Sequence, residues 1–248
     1  MKLKNKVGII TGATSGMGKA IAQNFANEGA KLVLSGRNIE SGNLLESQLN
    51  DSVFISGDIS IPKTNELLVN KAIEKYGKLD FISLNAGILG VGNVVDLSIE
   101  EWNKTLETNL SSIFYLAKYA LPFLAQSNSG NILINASIAA FKSFPNHPAY
   151  CASKAGSLAL MKQMAVEYAP EVRVNAICPG PVDTPLLWDS AKAFENPDKA
   201  IENAKNMTLL KRLGTVEDIA KTALFLTSED ASWITGSAIT IDGGIINI

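Results

Sequence analysis

Tyr150 and Lys154 stand four residues apart in YCASK, one helical turn, so their side chains share a face. A phenol with an ordinary pKa of about 10 is a poor base at neutral pH. An ammonium beside it favours the phenolate and lets the phenol exchange a proton with an alcohol or carbonyl oxygen. Of the five tyrosines, only Tyr150 has a lysine at this spacing. A second stretch, VGIITGATSGMG (Val7 to Gly18), offers an anion cradle. The apolar run Val7 to Ile10 reads as a short buried strand, and Gly12, Gly16 and Gly18 punctuate a turn. Ala20, Ile21, Ala22 and Phe25 then recur at helical spacing. Glycines let a backbone approach a ligand closely. The first turn of the helix adds unpaired N–H groups and a positive dipole end, which suits a pyrophosphate.

The elements that must position these groups follow in order. Further strands are read at Lys31 to Asn38, ending at Gly36, and at Ser52 to Asp58, Leu79 to Gly87, Gly130 to Ser137, Val172 to Gly180 and in SAITIDGG. Helices are predicted after Gly36, from Ser60 and Pro62 through Leu67, Leu68 and Ile73, and from a capping box at Ser98 and Glu101 through about Leu124. Others run from Pro148 to about Tyr168 and from Thr215 to Leu226. The strands are near-continuous apolar runs, as expected where helices cover both faces of a parallel sheet. The alternation predicts one doubly wound α/β domain of the Rossmann type over residues 1–248, with a seven-stranded parallel sheet and helices on both faces. Its ligand should sit beyond the carboxyl ends of the strands, at Gly12, Arg37, Asp58, Asn85, Ser137 and Pro179. The segment from Asp183 to about Met207 fits the alternation least and reads as a substrate flap.

Composition narrows the function classes. The formal net charge of -2 supplies no basic field for nucleic acid. Two cysteines make no disulfide framework, and a single histidine makes no metal cluster. No stretch has the length of a signal h-region or a membrane span, so a cytoplasmic location is expected.

Taken together, TGATSGMG (Thr11 to Gly18), Asp58, NAG (Asn85 to Gly87), Asn109, Ser137, YCASK, PGPVDT (Pro179 to Thr184) and ITGSAITIDGG resemble the short-chain dehydrogenase/reductase family. The likeness is to its single-domain members, including 3-oxoacyl-carrier-protein reductases and glucose and alcohol dehydrogenases. It runs over nearly the whole chain, with Ser137 13 residues before Tyr150 as the family pattern has it. Leu84, where the family often has an asparagine, is a minor departure. The resemblance implies a nicotinamide-dependent oxidoreductase interconverting a carbonyl and a secondary alcohol. Tyr150 would exchange the substrate proton and Ser137 would hold the substrate oxygen. Lys154 would lower the tyrosine's pKa and bind the nicotinamide ribose, and Asn109, inside the long helix, would help hold a water in the proton path. For the cofactor it implies Gly12, Thr14, Ser15, Gly16, Met17 and Gly18 at the glycine turn, and Asp58 with Ile59 at the adenine. Asn85, Ala86 and Gly87 fall at the adenosine ribose, and Pro179, Gly180, Val182 and Thr184 at the nicotinamide, beside Tyr150 and Lys154.

An NAD-preferring member would place a carboxylate at the end of the second strand. Here Gly36 stands there and Arg37 follows, and an arginine pairs with a 2′-phosphate. NADP(H) is therefore expected, with NAD(H) open if Arg37 only stacks on the adenine. Two alternatives accompany this reading: a 3-oxoacyl-carrier-protein reductase, and a non-catalytic dinucleotide-binding sensor or scaffold. His147 reads as a loop residue and a substrate-contact candidate, and Cys151 as packing. Apolar residues on more than one face of the helices after Glu101 and after Tyr150, with the tail IINI, suggest a subunit interface, and the family's habit suggests a homotetramer.

Overall fold

A computed structural model describes residues 1–247; Ile248, the end of the apolar tail, lies outside the described residues. Seven strands, β1 (Val7–Ile10), β2 (Lys31–Gly36), β3 (Ser52–Ser56), β4 (Phe81–Leu84), β5 (Gly130–Asn135), β6 (Val172–Pro179) and β7 (Ala238–Ile241), form one sheet in the order β3-β2-β1-β4-β5-β6-β7. Every pairing is parallel. The inner strands β1, β4 and β5 are buried throughout. Their apolar runs have helices on both sides.

The helices are α1 (Gly16–Asn27), α2 (Ile39–Gln48), α3 (Pro62–Tyr76), α4 (Ile99–Leu106), α5 (Ser112–Leu124), α6 (Pro148–Tyr168), α7 (Pro185–Ala191), α8 (Pro197–Met207) and α9 (Val216–Thr227). One apolar layer joins Leu68 of α3, Leu116 of α5 and Met161 of α6 to the sheet. The other joins Ile21 and Phe25 of α1 and Ile219 of α9, with Phe25 edge-on to Phe81 at 5.4 Å. Thr215 and Asp218 form a reciprocal capping box at the start of α9. Among the described residues no helix is long and apolar enough to cross a membrane.

The long helix expected from Ser98 and Glu101 through about Leu124 is present over residues 99–124, with a π turn over Glu107–Ser111 that holds Asn109. Ser60 does not cap α3: its N–H and hydroxyl both donate to the Asp58 carboxylate, at 2.9 and 2.8 Å, and Ile61 takes the cap position. Of the tail IINI, Ile245 is buried within its own chain.

The chain turns from β1 to β2 on one side and reaches β4 on the other, so a crevice opens where the order reverses. Thr11 fixes its floor, its buried hydroxyl accepting from the Asn85 N–H at 3.1 Å.

Candidate active site

Gly12 lies at φ +64°, and a Cβ there would come within 2.8 Å of the Ala86 nitrogen. A Cβ on Gly18 would meet the Gly12 carbonyl oxygen at 2.3 Å. The turn can therefore press against both β4 and its own helix only with glycines. Ser15, at the N-cap of α1, makes no side-chain cap, and the first turn holds no acidic residue. Its N–H groups are left for an anion. The cleft beside them, about 370 Å³, is lined by Gly12, Thr14, Ser15, Gly16, Met17, Gly18, Arg37, Asp58, Ile59, Asn85, Ala86, Gly87 and Thr184. Burial works against ionisation of Asp58, but the Ser60 hydrogen bonds and the charge of Arg37 hold its carboxyl below the usual value. Thirteen expected cofactor residues thus meet in one cleft. A glycine cradle, a bare helix start, one cation and one carboxylate are the donor set that a dinucleotide requires.

A second cavity of about 520 Å³ adjoins it, with Met17, Leu89, Thr184 and Leu186 shared between the two linings. Ser137, Tyr150, Pro179, Gly180 and Val182 line this one. The Ser137 hydroxyl accepts the Ala139 N–H at 3.0 Å and can donate its own proton towards the Tyr150 phenol or a ligand beside it. Lys154 and Asn109 line neither space. Lys154 is buried behind them, its Nζ donating to the Asn135 carbonyl at 2.8 Å and lying 5.5 Å from the centre of the Tyr150 ring. Asn109 accepts from the Ile88 N–H and donates to the Ile88 carbonyl, both at 2.8 Å, and to the Ser153 hydroxyl at 3.0 Å. Ser153 in turn donates to the Tyr150 carbonyl at 2.7 Å. The π turn thus ties the loop after β4 to the helix that carries Tyr150.

The expected lowering of the tyrosine's pKa by Lys154 is absent from the protein alone. Burial pushes the Tyr150 phenol up to about 12, against a smaller downward pull from the Ser137 hydroxyl. Burial also pulls the Lys154 ammonium down to about 8. Desolvation disfavours the charged form of both and is the largest influence on each. For Lys154 the folded chain holds its proton less tightly than the unfolded chain, so stability rises with pH from about 8 to 10.5, and the full cost stands below about 8. Lys154→Met should therefore raise Tm most near pH 7, by a few degrees. The gain over wild type should shrink towards pH 10; a gain that does not change with pH, read by thermal melts, contradicts this.

His147 is buried at the N-cap of α6 and faces the Tyr150 ring edge-on, with centroids 6.4 Å apart. A carbonyl only accepts, so Nδ1–H donates to Pro145 at 2.6 Å, and Nε2 is hydrogen-bonded to the Ser190 hydroxyl of α7 at 2.9 Å. The loop residue expected from the sequence is thus tied by a hydrogen bond to Ser190, inside the 183–207 segment. Sequence reasoning missed Ser153, Asn135 and Ser190. Ser153 lies inside YCASK and was within reach, whereas the other two have no local signal. Among the described residues no three His, Cys, Asp or Glu side chains gather to hold a metal ion.

A family model described as enoyl-(acyl carrier protein) reductase matches residues 12–246. An uncharacterized oxidoreductase of Thermotoga maritima is 37% identical, over 98% of each chain. A 3-oxoacyl-[acyl-carrier-protein] reductase of the same organism is 33% identical, over 99% of this chain and 100% of its own. The crystal structure of levodione reductase superposes with a TM-score of 0.94 at 32% identity, covering 98% of both chains.

Proposed function

This chain belongs to the short-chain dehydrogenase/reductase family, and we propose that it interconverts a small-molecule ketone and its secondary alcohol with NADP(H), Tyr150 passing the proton. As a family member it is an oxidoreductase of alcohols and carbonyls that uses a nicotinamide dinucleotide. The observation that carries the finer reading is that Tyr150 and Ser137 share one cavity wall, directly beside the glycine cradle.

When bound, the nicotinamide supplies or takes up the hydride. Gly12, Thr14, Ser15, Gly16, Met17 and Gly18 would hold the pyrophosphate side, and Arg37 the 2′-phosphate. Asp58 and Ile59 would hold the adenine, and Asn85, Ala86 and Gly87 its ribose. Tyr150 would meet the nicotinamide ribose, with Lys154 buried behind it and Pro179, Gly180, Val182 and Thr184 at the ring. Ser137 donates its hydroxyl proton to the substrate oxygen and holds it near the phenol. With its pKa near 12, Tyr150 is protonated at neutral pH, which suits it to hand a proton to that oxygen during reduction. Lys154, through its bond to the Asn135 carbonyl, keeps a positive charge beneath the phenol ring below about pH 8. Asn109 fixes the loop and helix between which these groups sit. The test is ketone turnover with NADPH, followed by nicotinamide absorbance, in wild type and in Tyr150→Phe.

The carrier-protein alternative has less support. The charged side chains on the cavity lining are Lys142, Glu195 and Lys199, a mixed set with no basic field for an acidic carrier. With the cytoplasmic location and the flap over residues 183–207, a homotetramer belongs to the same proposal. Phe114 on α5, Val166 on α6 and Trp233 before β7 are 51%, 81% and 99% exposed, apolar surface that a subunit contact would cover. Light scattering should give the mass of four chains; a monomer's mass overturns the assembly.

A further inference from the structure

The geometry points to a bulky, largely apolar ketone or secondary alcohol as the substrate, one whose only buried oxygen is the reacting one; this rests on the carbonyl–alcohol reading above. The cavity of about 520 Å³ would hold the nicotinamide at its Pro179, Gly180, Val182 and Thr184 side and the substrate in the remainder, a space within the range of about 300 to 1,000 Å³ typical of ligand sites. At its reacting end stand the Ser137 and Tyr150 hydroxyls. His147 and Ser190 also line it, but the two imidazole nitrogens are engaged by Pro145 and by the Ser190 hydroxyl. That pair joins α7 to the start of α6, and its hydrogen bonds are already made within the protein.

Beyond this pole much of the wall is apolar, with the amides Asn196 and Asn203 also on the lining. Ala200, Ile201, Ala204 and Met207 recur at helical spacing on α8, a helix otherwise mostly of charged and amide residues, and all four line the cavity. Phe194 and Leu187 extend the same wall. Phe194 and Met207 keep 40% and 45% of their surface exposed, so a ligand beside them would remove apolar area from water. The charges on the lining, Glu195 and Lys199, are exposed, while Lys142 is half-buried. A polar tail at the solvent side is therefore tolerated, whereas hydroxyls along the body of a polyol would be desolvated with few partners.

The test measures kcat/KM with NADPH for cyclohexanone, 4-methylcyclohexanone, 4-propylcyclohexanone and a ketohexose. Alongside it, calorimetry compares binding of 4-propylcyclohexanol and sorbitol to the protein. The expected result is a rise of about two- to fourfold per added methylene, with the ketohexose roughly 100-fold or more below cyclohexanone. The propyl compound should bind and the polyol should not. Met207→Ser and Phe194→Ser should each flatten the series. A flat series in wild type, or a ketohexose as good as the alkyl ketones, overturns the apolar assignment and leaves the carbonyl–alcohol function standing. No turnover of any of these with either cofactor brings down that function, and this inference with it.

Discussion

Replacing Tyr150 by Phe is expected to lower kcat about 1,000-fold, inside the range of about 10² to 10⁴ that a positioned general acid contributes. The change removes one hydroxyl and keeps the ring. Its edge-on contact with His147 and its packing at the start of α6 therefore survive, and the fold has no cavity to repair. Lys154 keeps its bond to the Asn135 carbonyl, and Ser137 keeps the Ala139 N–H. The lost proton donor is thus the main chemical difference. Cofactor affinity should fall by no more than about tenfold, the worth of one hydrogen bond. A variant that retains a tenth of wild-type turnover would show that the proton comes from elsewhere. A dinucleotide sensor predicts something else again: no turnover in either protein, and a cofactor response unaffected by the substitution.

The strands and the glycine turn were legible because both rest on local pattern, whereas most of the cofactor cleft's membership came from the family resemblance. Strands buried on both faces must be apolar throughout, and the anion cradle needs glycines at fixed places within a dozen residues. Strand ends were read long. The residues after Leu84 and after Asn135 stay small or apolar, yet they leave the ladder to line the cleft. The π turn at Asn109 was hidden because one extra residue per turn barely disturbs an apolar stripe. Ser60 had the composition of a cap and was spent on Asp58 instead, a choice made by the cleft and not by the helix. The pairing of His147 with Ser190 spans 43 residues, so no local pattern announces it. Spacing alone put an ammonium one turn from the phenol, but how far burial opposes that ammonium is a property of the folded interior.

Reversing the charge at Arg37 should cut kcat/KM for NADP about 100-fold and leave that for NAD within about threefold. A charge-assisted arginine–phosphate pair is worth roughly 1.5 to 3 kcal/mol, and a carboxylate in its place adds repulsion. Arg37 is exposed at the end of β2 on the cleft lining, close enough to Asp58 to lower its pKa, so its field reaches the adenosine end. The residue before it explains why a carboxylate does not stand there already. A Cβ on Gly36 would come within 2.5 Å of Thr14 Cγ2, and Thr14, a stiff β-branched residue of the glycine turn, cannot give way cheaply. An acid at position 36 would disturb the cradle as well as the ribose, so Gly36→Asp should weaken both cofactors, whereas Arg37→Glu separates them. Steady-state constants for NADPH and NADH in wild type, Arg37→Glu and Gly36→Asp check both statements. If the wild-type enzyme uses NADH as well as NADPH, or better, Arg37 is not reading a phosphate and its guanidinium serves only the adenine.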